Sequence, residues 1–449
     1  MLEELAAGVR SGALDPVDLV NESLRRIDDA KELNAVVALY ADEALAAAKN
    51  HSREGALAGL PFLVKDMARV KGHVTTSGSR LYSNGPADDT DDTVVARLRA
   101  AGAIVLGRTN SPEFGATAYT SNPVYGATRN PWNTTKAPGG SSGGSAAALA
   151  AGLTPLATTS DGGGSVRGPA ASVGLVGYKP TMGAIGRNIL PRWIEFSTQG
   201  TTNATVADVV YEASITLGEA RGDFLSVPRA GIQLTPQRPT KVLACRTFRA
   251  DVDPEIEEHF ENTLDAIAKS GIPVERVNSP SNNDTIWNWF VISTAELTQS
   301  LRHEEHRWNE LSDYVQQQLK FGSSVTIDQY IAAQRFRHEV SARFDDILVD
   351  GAVLVTPTAN ARSWPAEGPL PTHAGNTTDP MITLNTPDNN FTGHPAVSVP
   401  MGLDNNGVPC GFQVISARFQ DGLSLGLAEH LERIQPWPLV APGYERFSI

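Results

Sequence analysis

Two clusters rich in glycine and serine lie close together in the first half of this 449-residue chain. The first spans residues 138–145 (PGGSSGGS) and the second spans residues 161–167 (DGGGSVR). Apolar patterns beside them predict a helix over residues 143–151 and a strand over residues 153–159. Backbone N–H groups at the ends of such elements are free to bind a ligand. The clusters therefore predict tight functional turns between buried elements rather than a flexible linker.

Strand and helix patterns alternate along most of the remaining chain. Short apolar runs predict strands at residues 60–64, 103–107, 241–245, 272–277, 351–357 and 396–400. Helical periodicity predicts helices in the first fifty residues, at residues 93–101 and at residues 254–269. This alternation is typical of an α/β fold with helices on both faces of a sheet. No internal repeat or low-complexity linker divides the chain, so we predict one domain over residues 1–449.

We expect that domain to contain regions with different tasks. Residues 1–58 are predicted to be N-terminal helices, and residues 59–210 carry both clusters and the candidate catalytic side chains. Residues 281–345 are predicted to form a mostly helical, aromatic-rich insertion on the substrate side. Residues 358–395 are rich in Pro, Asn and Thr, which is typical of a long surface loop.

Charge and composition exclude several classes of protein. A formal net charge of −13 makes general binding of nucleic acid unfavourable. There is no run of about 18 apolar residues and no signal-peptide pattern, so we expect a cytoplasmic protein without a membrane span. Cys245 and Cys410 are too few for a disulfide framework. His303 and His306 lack the spacing of a zinc-binding helix, so no metal site is predicted.

Ser165 is the candidate nucleophile because it follows three glycines. Consecutive glycines let the chain turn sharply and direct several N–H groups at one point. The N–H groups of Gly162, Gly163, Gly164 and Ser165 are therefore candidates for an oxyanion hole, which needs no side chain. This combination indicates acyl transfer, in which a hydroxyl attacks a carbonyl carbon and the developing oxyanion must be stabilised.

A lysine is the candidate base. A serine hydroxyl is a weak nucleophile without a base, and a lysine can be that base only when burial keeps it neutral. Lys65 ends an apolar run and is placed for such desolvation. Ser141 of the first cluster is a candidate relay for the proton between Lys65 and Ser165. Asp161 and Arg167 flank the nucleophile loop, and we expect them to pair across it and hold its shape.

An alternative assignment makes Ser141 the nucleophile. Residues 139–143 (GGSSG) match G-x-S-x-G, the nucleophile elbow of α/β-hydrolases. This alternative requires a downstream histidine, and the candidates are His373, His394 and His430. It leaves the second cluster and Lys65 without a role.

Taken together, these motifs resemble the amidase signature family. The resemblance runs from about residue 60 to residue 179 and returns at residues 390–415. Further matching segments are residues 107–110 (GRTN) and 125–132 (YGATRNPW). The resemblance implies a single-domain fold with a central mixed β-sheet covered by helices on both faces. It also implies a Ser–cis-Ser–Lys triad of Ser165, Ser141 and Lys65, with the cis peptide bond between Gly140 and Ser141.

The reaction implied by the resemblance is amide hydrolysis through an acyl-enzyme, without a metal or organic cofactor. Members of the family hydrolyse aryl acylamides, aliphatic amides, nylon oligomers and carbamates, so we expect a small aryl or alkyl amide substrate and a monomer or homodimer. A carbamate or ester hydrolase with the same mechanism is an alternative. Another is the A subunit of the tRNA amidotransferase, which usually carries Asp-Glu-Phe where this chain has SPEF at residues 111–114.

The chain departs from the family pattern at the nucleophile loop. Gly163 stands where threonine is common, which predicts a more pliable loop and a roomier site. Tyr119, Trp193 and Phe196, together with the aromatic stretch 287–308, are candidates for the lining of an apolar acyl or aryl pocket. The basis for this prediction is their position between or after the catalytic motifs.

Overall fold

The computed structural model describes residues 1–249, 251–370 and 383–448. The described α-helices are α1 Leu2–Ser11, α2 Pro16–Asp29, α3 Ala41–Lys49, α4 Thr93–Ala100, α5 Gly143–Ala150, α6 Arg167–Val173, α7 Val206–Thr216, α8 Pro254–Lys269, α9 Asn283–Ser300, α10 Asp313–Ser324, α11 Ile327–Ile347, α12 Pro387–Thr392 and α13 Asp421–Ile434. The described strands are β1 Val36–Leu39, β2 Pro61–Lys65, β3 Ile104–Thr109, β4 Ser121–Asn122, β5 Gly126–Ala127, β6 Leu156–Ala157, β7 Thr159–Asp161, β8 Val176–Lys179, β9 Thr198–Asn203, β10 Lys241–Ala244, β11 Val274–Arg276, β12 Ala352–Pro357, β13 Ala396–Leu403 and β14 Pro409–Ile415.

Two mixed sheets form the centre of the molecule. One has four strands in the order β1-β3-β2-β6, and the other has eight in the order β11-β10-β12-β14-β13-β8-β9-β7. Strands β2, β3 and β6 run parallel, as do β10, β11 and β12, whereas the other strand pairings are antiparallel. Only Thr158 separates β6 from β7, so the chain passes directly from one sheet to the other. The strand predicted at residues 153–159 is therefore two short strands in different sheets.

Helices cover both faces of the eight-stranded sheet. On one face, Val242 and Val353 belong to a core shared with α7, α8 and α13. On the other face, Leu243 and Leu354 belong to a core shared with α9, α11 and α12. Successive strand residues point to opposite faces, so a sheet covered on both sides requires the continuous apolar runs seen in these strands. The α/β fold with a mixed sheet and helices on both faces is confirmed.

The elements that carry Lys65 and the first cluster are buried along their whole length. Strand β2 (PFLVK) lies between β3 and β6, and all five of its residues are buried. Helix α5 (GGSAAALA) is likewise buried throughout. Its small residues allow close packing, because a Cβ built on Gly144 would lie 2.4 Å from the backbone nitrogen of Asn110.

The predicted surface loop at residues 358–395 is wrong for much of its described part. Residues 383–394 are buried, and Pro387–Thr392 forms helix α12. Their polar side chains bond to buried partners instead of water; Asn390, for example, bonds to Asp161. The polar composition of this segment predicted a solvent-exposed loop, but the polar side chains of residues 383–394 form a buried hydrogen-bond network. Residues 371–382 lie outside the described residues.

The remaining elements agree with the sequence predictions in part. The N-terminal region contains strand β1 among its helices, and β1 pairs antiparallel with β3. Residues 281–345, predicted to be mostly helical, contain α9, α10 and most of α11. Both cysteines are free and buried. In the part of the chain that the structure describes, no helix combines the length and apolar character needed to cross a bilayer.

Candidate active site

Lys65 is the last residue of strand β2, at the carboxyl edge of the four-stranded sheet. Its backbone N–H donates to Thr158 Oγ1 over 2.9 Å, which ties the strand end to the link between the two sheets. The side chain is 2% exposed. A lysine reaches such a buried position because strand β2 is central and apolar, so its last side chain stays within the core.

Three serine hydroxyls surround the Lys65 amine. Lys65 Nζ lies 2.8 Å from Ser141 Oγ, 2.8 Å from Ser142 Oγ and 3.1 Å from Ser160 Oγ. Among the described residues, no carboxylate forms an ion pair with it. Burial lowers the pKa of Lys65 to about 7, although the charge of Asp161 acts in the opposite direction. The amine is therefore available in its neutral form near neutral pH and can accept a proton from a hydroxyl.

The first cluster directs Ser141 at this amine. The peptide bond between Gly140 and Ser141 is cis, at the position where the family resemblance places one. Gly140 lies so close to its neighbours that a Cβ there would be 2.6 Å from the backbone nitrogen of Tyr119. Helix α5 begins two residues after Ser141, so the hydroxyl is held by a turn between two fixed elements.

The second cluster forms the turn between strand β7 and helix α6, and Ser165 lies within it. Gly164 has φ of 124°, a value that L-residues rarely adopt, and a Cβ there would meet Thr386 Oγ1 at 2.0 Å. Ser165 is 8% exposed and lines a cavity of about 970 Å³ together with Lys65 and Ser141. The three side chains predicted as a triad thus face one common space.

A buried ion pair supports the loop that carries Ser165, the candidate nucleophile. Arg167 Nη2 and Nε each lie 3.0 Å from a carboxylate oxygen of Asp161. The Asp161 carboxylate also accepts the N–H groups of Gly164 (2.6 Å) and Val166 (3.1 Å). Burial alone would raise the pKa of Asp161, but the charge and hydrogen bonds of Arg167 outweigh it and hold that pKa below its usual range. The loop therefore closes around a permanent carboxylate.

The structure changes the expected set of oxyanion donors. Gly164 is not free to donate, because its N–H already bonds to Asp161. Among the described residues, no acceptor pairs with the N–H groups of Gly162, Gly163 or Ser165. Those three remain candidates for stabilising an oxyanion. The prediction for Gly164 is wrong because a sequence cannot show that the loop curls around its own aspartate.

Two tryptophans pack against the glycines of this loop. A Cβ built on Gly162 would lie 2.5 Å from Trp193 Cε3, and one on Gly163 would lie 2.7 Å from Trp289 Cζ2. Trp289 also donates its Nε1–H to the Gly162 carbonyl over 3.1 Å. The space beside Gly163 is therefore filled by an indole ring, so the absence of a side chain at this position opens no room there.

The predicted aromatic pocket is only partly present. Trp193 lines the large cavity, and Trp289 lines a second, smaller cavity beside Ser165. Phe196 is fully buried and stacks on Trp289 away from the cavity. Tyr119 packs edge-on against Tyr314 and lines neither cavity. The position of an aromatic residue between the catalytic motifs therefore does not predict whether it lines the cavity, because aromatic side chains also pack in the hydrophobic core.

The rest of the aromatic stretch 287–308 lies mostly outside the site. Trp287 packs against Phe321 and is 55% exposed, and Trp308 is covered by Arg302. Nothing in the residue pattern separates Trp289 from these neighbours. The one available signal was the unusual glycine at position 163, which makes room for a large side chain.

The alternative based on histidine finds no support in the described residues. His394 contacts Thr392 and Asp345, and His430 contacts Ser270 and Arg433. Neither ring reaches Ser141, whose bonded partner is Lys65. His373 lies outside the described residues. No group of three or more His, Cys, Asp or Glu side chains in the described ranges is arranged to hold a metal ion.

The chain is similar to known proteins over nearly its whole length. A model of the amidase family matches residues 18–425. An acylamidase from Rhodococcus erythropolis is 32% identical over 97% of this chain and 95% of its own. The A subunit of the glutamyl-tRNA(Gln) amidotransferase from Halothermothrix orenii is also 32% identical, over 96% of each chain.

Solved structures show the same similarity. A bacterial aryl acylamidase of the amidase signature family superposes with a TM-score of 0.88 at 27% identity, covering 96% of this chain and 95% of that one. A 6-aminohexanoate cyclic dimer hydrolase superposes with a TM-score of 0.89 at 27% identity, covering 98% of both chains.

Proposed function

The chain belongs to the amidase signature family and hydrolyses C–N bonds of amides, and from this premise we propose that it works through an acyl-enzyme formed on Ser165. The observation that carries the proposal is the 2.8 Å contact between the buried Lys65 amine and Ser141 Oγ, in the cavity that Ser165 also lines. A buried amine with a pKa of about 7 matches a general base that works at neutral pH.

The reaction begins with attack by Ser165 Oγ on the substrate carbonyl carbon. The Ser165 proton passes to Ser141 Oγ, while the Ser141 proton passes to Lys65 Nζ. The tetrahedral intermediate then collapses, the C–N bond breaks, and the proton held by Lys65 returns through Ser141 to the leaving nitrogen. Water attacks the acyl-enzyme with the same proton route and releases the carboxylic acid.

The oxyanion of each tetrahedral intermediate needs hydrogen-bond donors. The N–H groups of Gly162, Gly163 and Ser165 supply them, and the bond from the Gly164 N–H to Asp161 holds these donors in one turn. Such donors need no reorganisation during the reaction, and the loss of one typically lowers the rate by about 10²–10³-fold. Trp289 packs against Gly163 and donates to the Gly162 carbonyl, and both contacts support the turn.

Apolar side chains around the cavity favour an aryl or alkyl amide. Leu190 and Ile327 line the cavity and are 68% and 70% exposed, which is unusual for large aliphatic side chains. Trp193 provides an apolar wall beside Gly162. The acylamidase and aryl acylamidase relatives carry names of the same substrate class.

Replacement of Ser165 tests the proposed nucleophile. We expect Ser165→Ala to lose hydrolysis of a p-nitroanilide and covalent labelling by a fluorophosphonate, whereas Ser172→Ala should retain both. Ser172 is a matched control because it lies on helix α6 and its hydroxyl donates to the Gly168 carbonyl of the same helix. Full labelling of Ser165→Ala would refute the assignment.

A substrate panel separates the related activities. For each substrate, kcat/KM is divided by the rate constant of uncatalysed hydrolysis. We expect this ratio to be higher for anilides and primary alkyl amides than for matched carbamates and esters. Glutaminase activity that appears only with added amidotransferase partner proteins would instead assign the chain to that complex. The SPEF segment at residues 111–114 favours a stand-alone enzyme.

A further inference from the structure

Arg192 lines the catalytic cavity, and none of the described residues forms an ion pair with it. It contacts Ser77 Oγ at the long distance of 3.5 Å, and the Tyr82 hydroxyl lies near it. Two aromatic rings hold it in place, because Arg192 Cζ lies 4.8 Å from the ring centre of Phe114 and 5.6 Å from that of Tyr82. A guanidinium has five N–H donors, so much of its hydrogen-bonding capacity is unused.

The other arginines that line this cavity are already engaged. Arg187 pairs with Asp223 and donates to two backbone carbonyls. Arg69 faces Asp88 at 3.6 Å. Within the described residues, Arg192 is the lining arginine that forms no ion pair.

The acidic groups of the cavity also have partners of their own. Glu296 accepts hydrogen bonds from the Ile194 N–H (2.7 Å) and the Tyr330 hydroxyl (2.9 Å). Asp88 accepts from Thr75 Oγ1 over 2.6 Å, and Asp92 accepts from the Arg69 N–H over 3.1 Å. Among the residues that the structure describes, no carboxylate is therefore in place to neutralise Arg192 from within the cavity.

Arg192 lies close to the candidate catalytic residues through two neighbours, Phe114 and Trp193. Phe114, on which the guanidinium stacks, is followed by Gly115, and a Cβ built on Gly115 would lie 3.2 Å from Ser141 Oγ. On the other side, Trp193 follows Arg192 and packs against Gly162 of the nucleophile loop. The guanidinium is thus part of one wall of the chamber in which the amide is cleaved.

From this arrangement we infer that Arg192 is a subsite for a carboxylate, so the preferred substrates are amides that carry a second, anionic carboxylate group. The inference rests on the proposed function and specifies the substrate class of the same site. A planar guanidinium matches a carboxylate with two parallel hydrogen bonds, and the rings beneath it keep the fork in place. The apolar side chains of Leu190, Ile327 and Trp193, which line the same cavity, then accommodate the aryl or alkyl part that joins the amide to the carboxylate.

Matched pairs of substrates test this subsite. One pair is glutaric acid mono-4-nitroanilide and valeric acid 4-nitroanilide, in which the acyl part carries the carboxylate or lacks it. The other pair is N-acetyl-4-aminobenzoate and acetanilide, in which the amine part carries the carboxylate or lacks it. We expect wild-type kcat/KM to favour the anionic member of at least one pair by about 10- to 100-fold, the range of a hydrogen bond to a charged group.

Variants of Arg192 should remove this preference selectively. Arg192→Met is expected to bring the anionic-to-neutral ratio close to one, mainly through a higher KM, while the neutral anilide is still hydrolysed. Arg192→Lys should restore part of the ratio. Arg69→Met is the matched control, because Arg69 lines the same cavity but is already paired, and the ratio should not change. A wild-type ratio of one or less in both pairs, or an unchanged ratio in Arg192→Met, would overturn the subsite.

A binding measurement keeps this inference separate from the proposed reaction. Glutarate binding to Ser165→Ala, followed by calorimetry, should weaken at least about tenfold when Arg192→Met is added. If the wild type hydrolyses no amide, the proposed function fails while glutarate binding still decides the subsite. If neutral anilides are cleaved and glutarate binding does not depend on Arg192, the subsite fails while the hydrolase assignment stands.

Discussion

Two buried lysines of this enzyme share their place at a strand end, their burial and their lowered pKa, but they differ in their contacts. Lys65 and Lys179 end strands β2 and β8, and their side chains are 2% and 1% exposed. Burial lowers the pKa of each to about 7. Lys65 Nζ contacts three serine hydroxyls at the cavity, whereas Lys179 Nζ donates to the Pro180 carbonyl over 2.9 Å.

The comparison shows that a lowered pKa does not by itself distinguish the lysine proposed as the base from another buried lysine. A base also needs a proton donor within reach and a path from that donor to substrate. Lys65 contacts the Ser141 hydroxyl in the cavity, which supports its proposed role as the base, while Lys179 faces a carbonyl, which has no proton to give. Desolvation is a property of any buried amine, so function follows from the contacts and from access to the cavity.

The largest expected difference between the two lysines is in activity. Lys65→Met should lower kcat/KM by about 10³–10⁴-fold, because the proposed general base is lost while a side chain of similar length fills the space. Lys179→Met should change kcat/KM by less than about threefold. Steady-state kinetics with one anilide measures both, and circular dichroism checks that each variant is folded. Equal losses in the two variants would mean that burial rather than contact defines the role.

The same two lysines should behave alike in the pH dependence of stability. Each has a folded pKa of about 7 and an ordinary value of 10.5, so between these values the unfolded chain binds a proton that the folded chain does not. The free energy of unfolding therefore rises with pH across this window, by up to about 1.4 kcal/mol per pH unit for each lysine.

Urea unfolding at several pH values across this window measures the slope. Lys65→Met and Lys179→Met should each reduce it by a similar amount, up to about 1.4 kcal/mol per pH unit. The wild-type protein in the same buffers is the reference. A slope that falls in one variant alone would show that the two amines are not equally desolvated.

The smallest expected effect concerns the second hydroxyl beside Lys65. Ser142→Ala should lower kcat/KM by about 2- to 10-fold, because one neutral hydrogen bond is lost while Ser141 remains. Ser145→Ala is the control, since Ser145 lies on helix α5 just after this turn and bonds to Thr158 and Thr109 instead of Lys65. A loss as large as that of Lys65→Met would mean that Ser142 carries the proton.

The polar network around the nucleophile loop shows how far residue patterns predict contacts. Asp161 and Arg167 are close in sequence, so their pairing across a short loop was predictable and is present. Asn390 and Gln413 also bond to Arg167, from more than 200 residues away. The sequence predicts a surface loop around Asn390, because amide and hydroxyl side chains are typical of loops. In the structure Asn390 is buried, because it hydrogen-bonds to a buried ion pair.

The structure shows which of the aromatic residues predicted to line the cavity do so. Trp193 was expected to line the cavity and does so, whereas Tyr119 and Phe196 pack elsewhere. Arg192 stands beside Trp193 in the sequence without any motif to mark it. Its proposed role comes from the lack of an acidic partner among the described residues, and only the three-dimensional arrangement of charges shows which arginine is left unpaired.

By itself, the sequence determined the α/β class of the fold and the type of chemistry. Apolar runs must be buried, and glycine-rich turns must place their N–H groups close together, whatever the rest of the chain does. Tertiary structure alone decided which N–H groups stay free, which aromatic rings line the cavity and which guanidinium there has no acidic partner among the described residues. These outcomes depend on contacts between residues far apart in the chain, and a buried polar group has a function only through the partner that folding brings to it.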